Sequence, residues 1–193
     1  MKPGLYFRRP VYLIIILLSG LLIAPIAAPL LPVDKFIAYS QFQQGIEVKH
    51  ERIREGMLPQ FFADRFGWEN MATQVVKVYQ SLSPEDQAKT CIFTGNYGEA
   101  GAIAFFGKQY GIPPVIRGHG QYYYWGPGEC TGEIVIVVGV REHDLKNTFN
   151  IVEQKGLIVN EYAMPYESNL PIFVCRAPKA SLKDVWKKVA HFD

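Results

Sequence analysis

The chain is poor in the residues that announce chemistry. Its 193 residues include three cysteines and four histidines, and no C-x-x-C pair exists for zinc or thiol redox work. Cys91, Cys130 and Cys175 are too few and too scattered for a disulfide scaffold. His50, His119, His143 and His191 lack H-E-x-x-H or other paired ligand spacing, so neither a metal centre nor a cofactor is expected. A G-x-S-x-G nucleophile elbow is missing as well. Charge excess is equally scarce: 20 basic against 18 acidic residues, a formal +2, offers no basic face for nucleic acid. Repeats and low-complexity tracts are also wanting.

Acidic residues are wholly absent from the first 33 positions, which carry Lys2, Arg8 and Arg9. From Val11 to Leu31 the chain then runs without any charge, flanked by Arg8 and Arg9 before and Asp34 and Lys35 after. A helix of that length at about 1.5 Å per residue crosses a hydrocarbon core of about 30 Å. The expected organisation is a cytoplasmic N-terminus at 1 to 10, a transmembrane helix at 11 to 31, a linker or juxtamembrane helix at 32 to 57 and a domain at 58 to 193. The basic side stays cytoplasmic, which predicts a single-pass protein of the inner (cytoplasmic) membrane with its C-terminal domain outside the cytoplasm. A cleaved signal peptide is a rival reading, though Pro29 directly after Ala27 and Ala28 makes an awkward cleavage point. A buried core helix fits less well, because the run is apolar all round. Pro25 and Pro29 are places where the helix would bend or end.

Beyond residue 33 the composition is that of an ordinary soluble domain, and with 49% hydrophobic residues over the whole chain enough remain there to bury a single core. Phe36, Tyr39 and Phe42 recur at spacings of three, as in a short helix lying at the membrane surface or packed on the domain. Residues 58 to 66 read as a helical turn. Trp68, Met71, Ala72, Val75, Tyr79 and Leu82 recur at helical spacing. Ser83 and Pro84 open another short helix. Strand-like runs follow at 90 to 95, at VIRGHG, at 133 to 140, at 156 to 160 and at 170 to 178. Helical patterns separate them: Ala100 to Gly107, Arg141 to Phe149, and a last helix opened by Ser181 with Asp184 three residues on. Alternation of this kind predicts an α/β class, a small, mostly parallel open sheet with helices on both faces. Cys91 and Cys175 read as small core residues of strands; in an oxidising compartment Cys130 would pair with one of them.

Candidate chemistry gathers after the first two strands. Gly95, Asn96, Tyr97, Gly98, Glu99, Ala100 and Gly101 stand where α/β sheets bind ligands, at a strand's carboxyl end. They match neither the dinucleotide fingerprint nor a P-loop, leaving an anion site or a tight turn as alternatives. Glu99 and His119 each follow a strand and could serve as base and orienter; equally, Glu99 caps its helix and His119 bonds a turn. Asn96 and Gln121 would add neutral polar groups to the same cleft. The block Tyr122, Tyr123, Tyr124, Trp125 suits a sugar, a lipid headgroup or a protein partner, although four successive rings cannot all face one way.

The segments LPQFFADRFGWENM, VYQSLSPEDQAK, FTGNYGEAGAIAFFGKQYGIPP, GHGQYYYWGP and TGEIVIVVGV together resemble the C-terminal extracytoplasmic domain of bacterial dolichyl-phosphate-mannose-type membrane glycosyltransferases, which include relatives of the aminoarabinose transferases. The resemblance spans about residues 11 to 190. It implies a polyprenyl-phosphate-sugar or glycan ligand and an enzyme of many membrane helices with catalytic acids near its front. This chain has one apolar run, so residues 11 to 31 would match a last membrane helix and the catalytic loops have no counterpart.

The leading expectation is therefore a membrane-anchored accessory or substrate-engaging domain, inactive alone, with Asn96, Tyr97, Glu99, His119, Gln121, Tyr122 and Trp125 as ligand-binding residues. One alternative is an autonomous extracytoplasmic hydrolase or transferase using Glu99 and His119. Another is a structural partner of a separately encoded, multi-span membrane subunit.

Overall fold

A computed structural model describes residues 4 to 28, 30 to 43, 58 to 190 and 192. Most of the expected linker, with His50, lies outside the described residues, as do His191 and Asp193. The chain opens with helix α1 (Gly4–Ala27), 24 residues long, which runs through Pro25 and stops two residues later. None of its apolar window from Arg8 to Pro25 is buried against protein, and it is long and apolar enough to cross a membrane.

Helix α2 (Val33–Gln43) folds back onto the domain. Phe36 is buried in a satellite core with Leu58, Phe62, Ala63 and Met164, its ring stacked on Phe62 at 3.9 Å. The Tyr39 hydroxyl donates to the Leu22 carbonyl of α1. Helix α3 (Gln60–Ala63) carries the Phe62 end of this contact.

Helices α4 (Trp68–Gln80) and α5 (Pro84–Ala88) lead into strand β1 (Thr90–Thr94). Ser83 caps α5 by accepting the Asp86 amide at 3.2 Å, with Pro84 in the first turn. Helix α6 (Tyr97–Gly107) then carries the chain to the two-residue strand β2 (Val115–Ile116), and α7 (Gln121–Trp125) precedes β3 (Ile134–Val138). Helix α8 (Glu142–Thr148), β4 (Phe149–Ile158), β5 (Leu170–Pro178) and α9 (Leu182–Trp186) complete the domain.

The strands form one sheet in the order β2-β1-β3-β5-β4. β1 pairs parallel with both β2 and β3. The expected mostly parallel sheet needs correction here, because β5 runs antiparallel to β3 and to β4, giving a mixed sheet. β4 and β5 are consecutive and joined without a crossover helix, so the second strand can only return alongside the first. The run expected at 156 to 160 is also the tail of a ten-residue strand that begins at Phe149. Polar Asn150, Glu153, Gln154 and Lys155 hide the front of that strand, since β4 is an edge whose outer side meets water.

All five residues of β3 are buried, as a strand covered on both faces requires. Ile92, Ile136, Val138, Ile172 and Val174 face α4 and α6, where Met71, Val75 and Ile103 meet them. Cys91, Val135, Val137, Phe173 and Cys175 face the other way, toward Leu145 of α8 and Trp186 of α9. Cys91 is linked by a disulfide to Cys130, across 39 residues of chain, and Cys175 remains a buried free thiol. Burial pushes that thiol up to about 12, so it stays protonated and packs as an apolar group.

Candidate functional site at the carboxyl edge

Strand order places a switch point between β1 and β3. From β1 the chain turns to β2 on one side, and from β3 it departs toward β4 on the other. Open α/β sheets bind ligands in the crevice between such strands. Here the two loops meet closely: a Cβ on Gly95 would lie 2.1 Å from the Gly139 carbonyl oxygen. Gly139 adopts φ +70°, and a Cβ there would lie 2.5 Å from both carboxylate oxygens of Glu99. Glycine is required on both grounds. The protein therefore fills its own crevice with the Glu99 carboxylate.

Glu99 is held there by a reciprocal cap. Asn96 Oδ1 accepts the Glu99 amide at 2.8 Å, and Glu99 Oε2 accepts the Asn96 amide at 3.0 Å. The side chain is 1% exposed. Burial raises its carboxyl above the usual carboxylate range, opposed by the Asn96 and Gly95 amides and by the Arg117 guanidinium. Arg117 follows β2, is itself buried, and donates from Nη1 to the Thr94 carbonyl at 2.8 Å. Burial lowers it to about 10, so it is still a cation at neutral pH. Sequence reasoning passed over Arg117. Its signal was a lone cation directly after an apolar strand, where an unpaired charge would be costly to bury.

The remaining predicted residues line the outside of this edge. Tyr97 is exposed, and its ring sits 5.2 Å from that of His119. Gln121 opens α7 in an exposed position, while Asn96 is half-buried and spends its side chain on the cap. The aromatic block divides as four successive rings must. Tyr123 stacks on Trp186 in the core at 6.0 Å, and the Trp186 indole donates to the Tyr123 carbonyl at 3.3 Å. Tyr124 and Trp125 point outward, 71% and 69% exposed. Tyr122 bridges the two sets, edge-on to Trp125 at 4.9 Å. The edge thus offers neutral hydrogen-bonding groups and flat rings over a buried Glu99.

Two further acids approach from the tether side. Loop residues 159 to 169 join β4 to β5 at this same edge, because Ile172 of β5 pairs with Val138 at the end of β3. Glu167 in that loop is pushed up to about 7, first by burial and then by the charges of Asp64 and Glu99. Burial also raises Asp64, just past α3, against a lowering hydrogen bond with Gln60. Met164 of the loop and Phe36 of α2 share the satellite core, so the tether docks on the edge that carries the site. Among the described residues no group of three side chains is placed to hold a metal ion.

Comparison of the chain with protein-family models, with curated proteins and with solved structures finds no match in any of the three. The class defined by the fold is a small mixed-sheet α/β domain behind one apolar N-terminal helix.

Proposed function

We propose that this chain is a membrane-anchored accessory domain outside the cytoplasm that engages a polyprenyl-phosphate sugar or related glycan and performs no transfer alone. The observation that carries this reading is the placement of the Glu99 carboxylate inside the switch-point crevice, 1% exposed and bonded into a helix cap. A general base must reach its substrate proton directly or through one water, and Glu99 is turned inward. What remains on the surface of that edge is a binding platform: Tyr97, Tyr122 and Trp125 beside His119 and Gln121. The Cys91–Cys130 disulfide supports an oxidising location, and the Arg8 and Arg9 pair in the early turns of α1, ahead of its uncharged run, supports a domain outside the cytoplasm.

Full-length protein in lipid vesicles, titrated with a polyprenyl-phosphate hexose, tests the reading. Trp125→Ala should weaken binding by about tenfold, the scale of a central aromatic anchor, whereas Glu99→Gln should leave it unchanged, because glutamine also serves in a capping box. Sugar turnover by the wild-type chain that disappears in Glu99→Gln would replace the accessory domain with an enzyme. Exposed Phe105 and Tyr97 on α6 favour a second reading, docking against a separate multi-span membrane subunit. Co-purification from membranes, lost on Phe105→Ser, would select it.

A further inference from the structure

The sheet face opposite α4 and α6 carries a partly open apolar cavity of about 180 Å³, walled by Phe93, Val135, Val137, Leu145, Trp186 and Val189. Protein interiors are close-packed, and an apolar void of about 150 Å³ stays dry and admits benzene. A natural domain of this size has the alternative of closing such a space with one larger side chain at Val135 or Val137, and it does not.

The walls say what the space can hold. Side-chain oxygens enter the lining only from Asp144 and Thr148, and the indole nitrogen only from Trp186. Each is already engaged: Asp144 Oδ2 accepts Arg141 Nε at 2.9 Å, the Thr148 hydroxyl donates to the Asp144 carbonyl at 3.3 Å, and the Trp186 indole donates to the Tyr123 carbonyl at 3.3 Å. An occupant with polar groups would meet an almost wholly apolar lining and would lose their hydration.

Position says where an apolar occupant comes from. Val140, two residues beyond β3, lines the cavity, as does Val189, whose carbonyl lies against Gly118 beyond the end of β2. Both stand at the carboxyl edge. That is the edge on which α2 docks, immediately after the apolar helix α1. The cavity runs from Phe149 and Leu182 at the opposite edge to Val140 and Val189, and the latter is the end nearer the anchor.

We propose that this cavity is a binding site for a short stretch of one hydrocarbon chain of a bilayer lipid, about as many carbons as its volume admits, entering between Val140 and Val189. The inference rests on the membrane anchoring and not on the glycan reading. Val135, Val137 and Leu145 hold the chain, and Trp186 walls it, which gives the site its own reporter.

The test uses the full-length chain carrying Trp68→Phe and Trp125→Phe, which leaves Trp186 as the single tryptophan of three. It is reconstituted in vesicles of phosphatidylcholine with or without dibrominated acyl chains, without any sugar lipid. Brominated chains should quench most of the Trp186 emission. Val137→Phe fills the cavity and Val189→Phe obstructs its mouth, and in each the emission should return to the unbrominated level. Circular dichroism reports whether each variant is folded, and Val189→Phe, at a half-buried position near the chain end, carries the test if Val137→Phe is not. Absence of quenching in the parent, or equal quenching in a folded filling variant, overturns the proposal. Loss of hexose-lipid binding in the earlier titration leaves it standing.

Discussion

The two faces of the sheet are built to different standards. Toward α4 and α6, isoleucine and valine from β1, β3 and β5 meet the 13-residue amphipathic helix α4 and the eleven-residue, largely apolar helix α6, and the contributors are buried. Toward α8 and α9, the covering helices have seven and five residues and leave a cavity of about 180 Å³. Alternation along β3 sends Ile136 to one face and Val137 to the other. One strand thus serves two purposes: its first face supplies cohesion, and its second keeps room.

The sharpest way to break this comparison is to truncate on the packed face. Ile136→Ala, at a position of 0% exposure, should cost about 4 kcal/mol, read as a fall in the urea midpoint at unchanged slope. A loss no larger than that of Val137→Ala would equalise the faces. Next comes the covalent device of the open face. Replacing Cys130 by serine should cost about 3 to 4 kcal/mol for a loop of this length, in the same assay under non-reducing conditions. A smaller loss would mean that the short helices hold that face without the disulfide.

The packed face has its own liability, in acid rather than volume. Glu167 lines one small pocket with Trp68 and Met71 of α4, and its carboxyl rises from 4.5 to about 7, first by burial and then by the charges of Asp64 and Glu99. The folded state then binds the proton more tightly than the unfolded one, so the associated stability is fully present below pH 4.5 and is lost as pH rises through 7. Asp64 and Glu99 shift in the same direction. Glu167→Gln should flatten that decline and gain about 1 to 2 kcal/mol at pH 8, discounted for partial exposure; thermal melts at pH 5 and pH 8 measure it. The smallest effect belongs to the open face again. Val137→Ile in lipid-free protein should stabilise by about 1 kcal/mol by filling space, where the same added methylene on a close-packed face would strain its neighbours.

Sequence legibility follows the same division. The apolar runs of β1, β3 and β5 are readable because both of their faces are buried. Hydropathy carries no sign of direction, so the antiparallel course of β5 was not. β4 was half hidden, since an edge strand alternates with charged residues that resemble a loop. Asn96 and Glu99 stand at cap spacing, which is compatible with both a cap and a catalytic base; the cap is what forms. Arg117 and Glu167 escaped notice because their significance is tertiary. The first matters by facing Glu99 and the second by its neighbours Asp64 and Glu99, relations that no local period records.

Strand β5 also has a consequence for how the molecule is made. It is the last strand in order of synthesis among the described residues, yet it sits between β3 and β4 and bonds to both. Until residue 178 has been synthesised, β3 shows an unpaired border and β4 has no neighbour. The strands β1, β2 and β3 and both cysteines of the sulfur bridge all precede β4 in the chain. The bridge ties β1 to the loop that enters β3, so this covalent link of the sheet joins chain made before the strand that closes it.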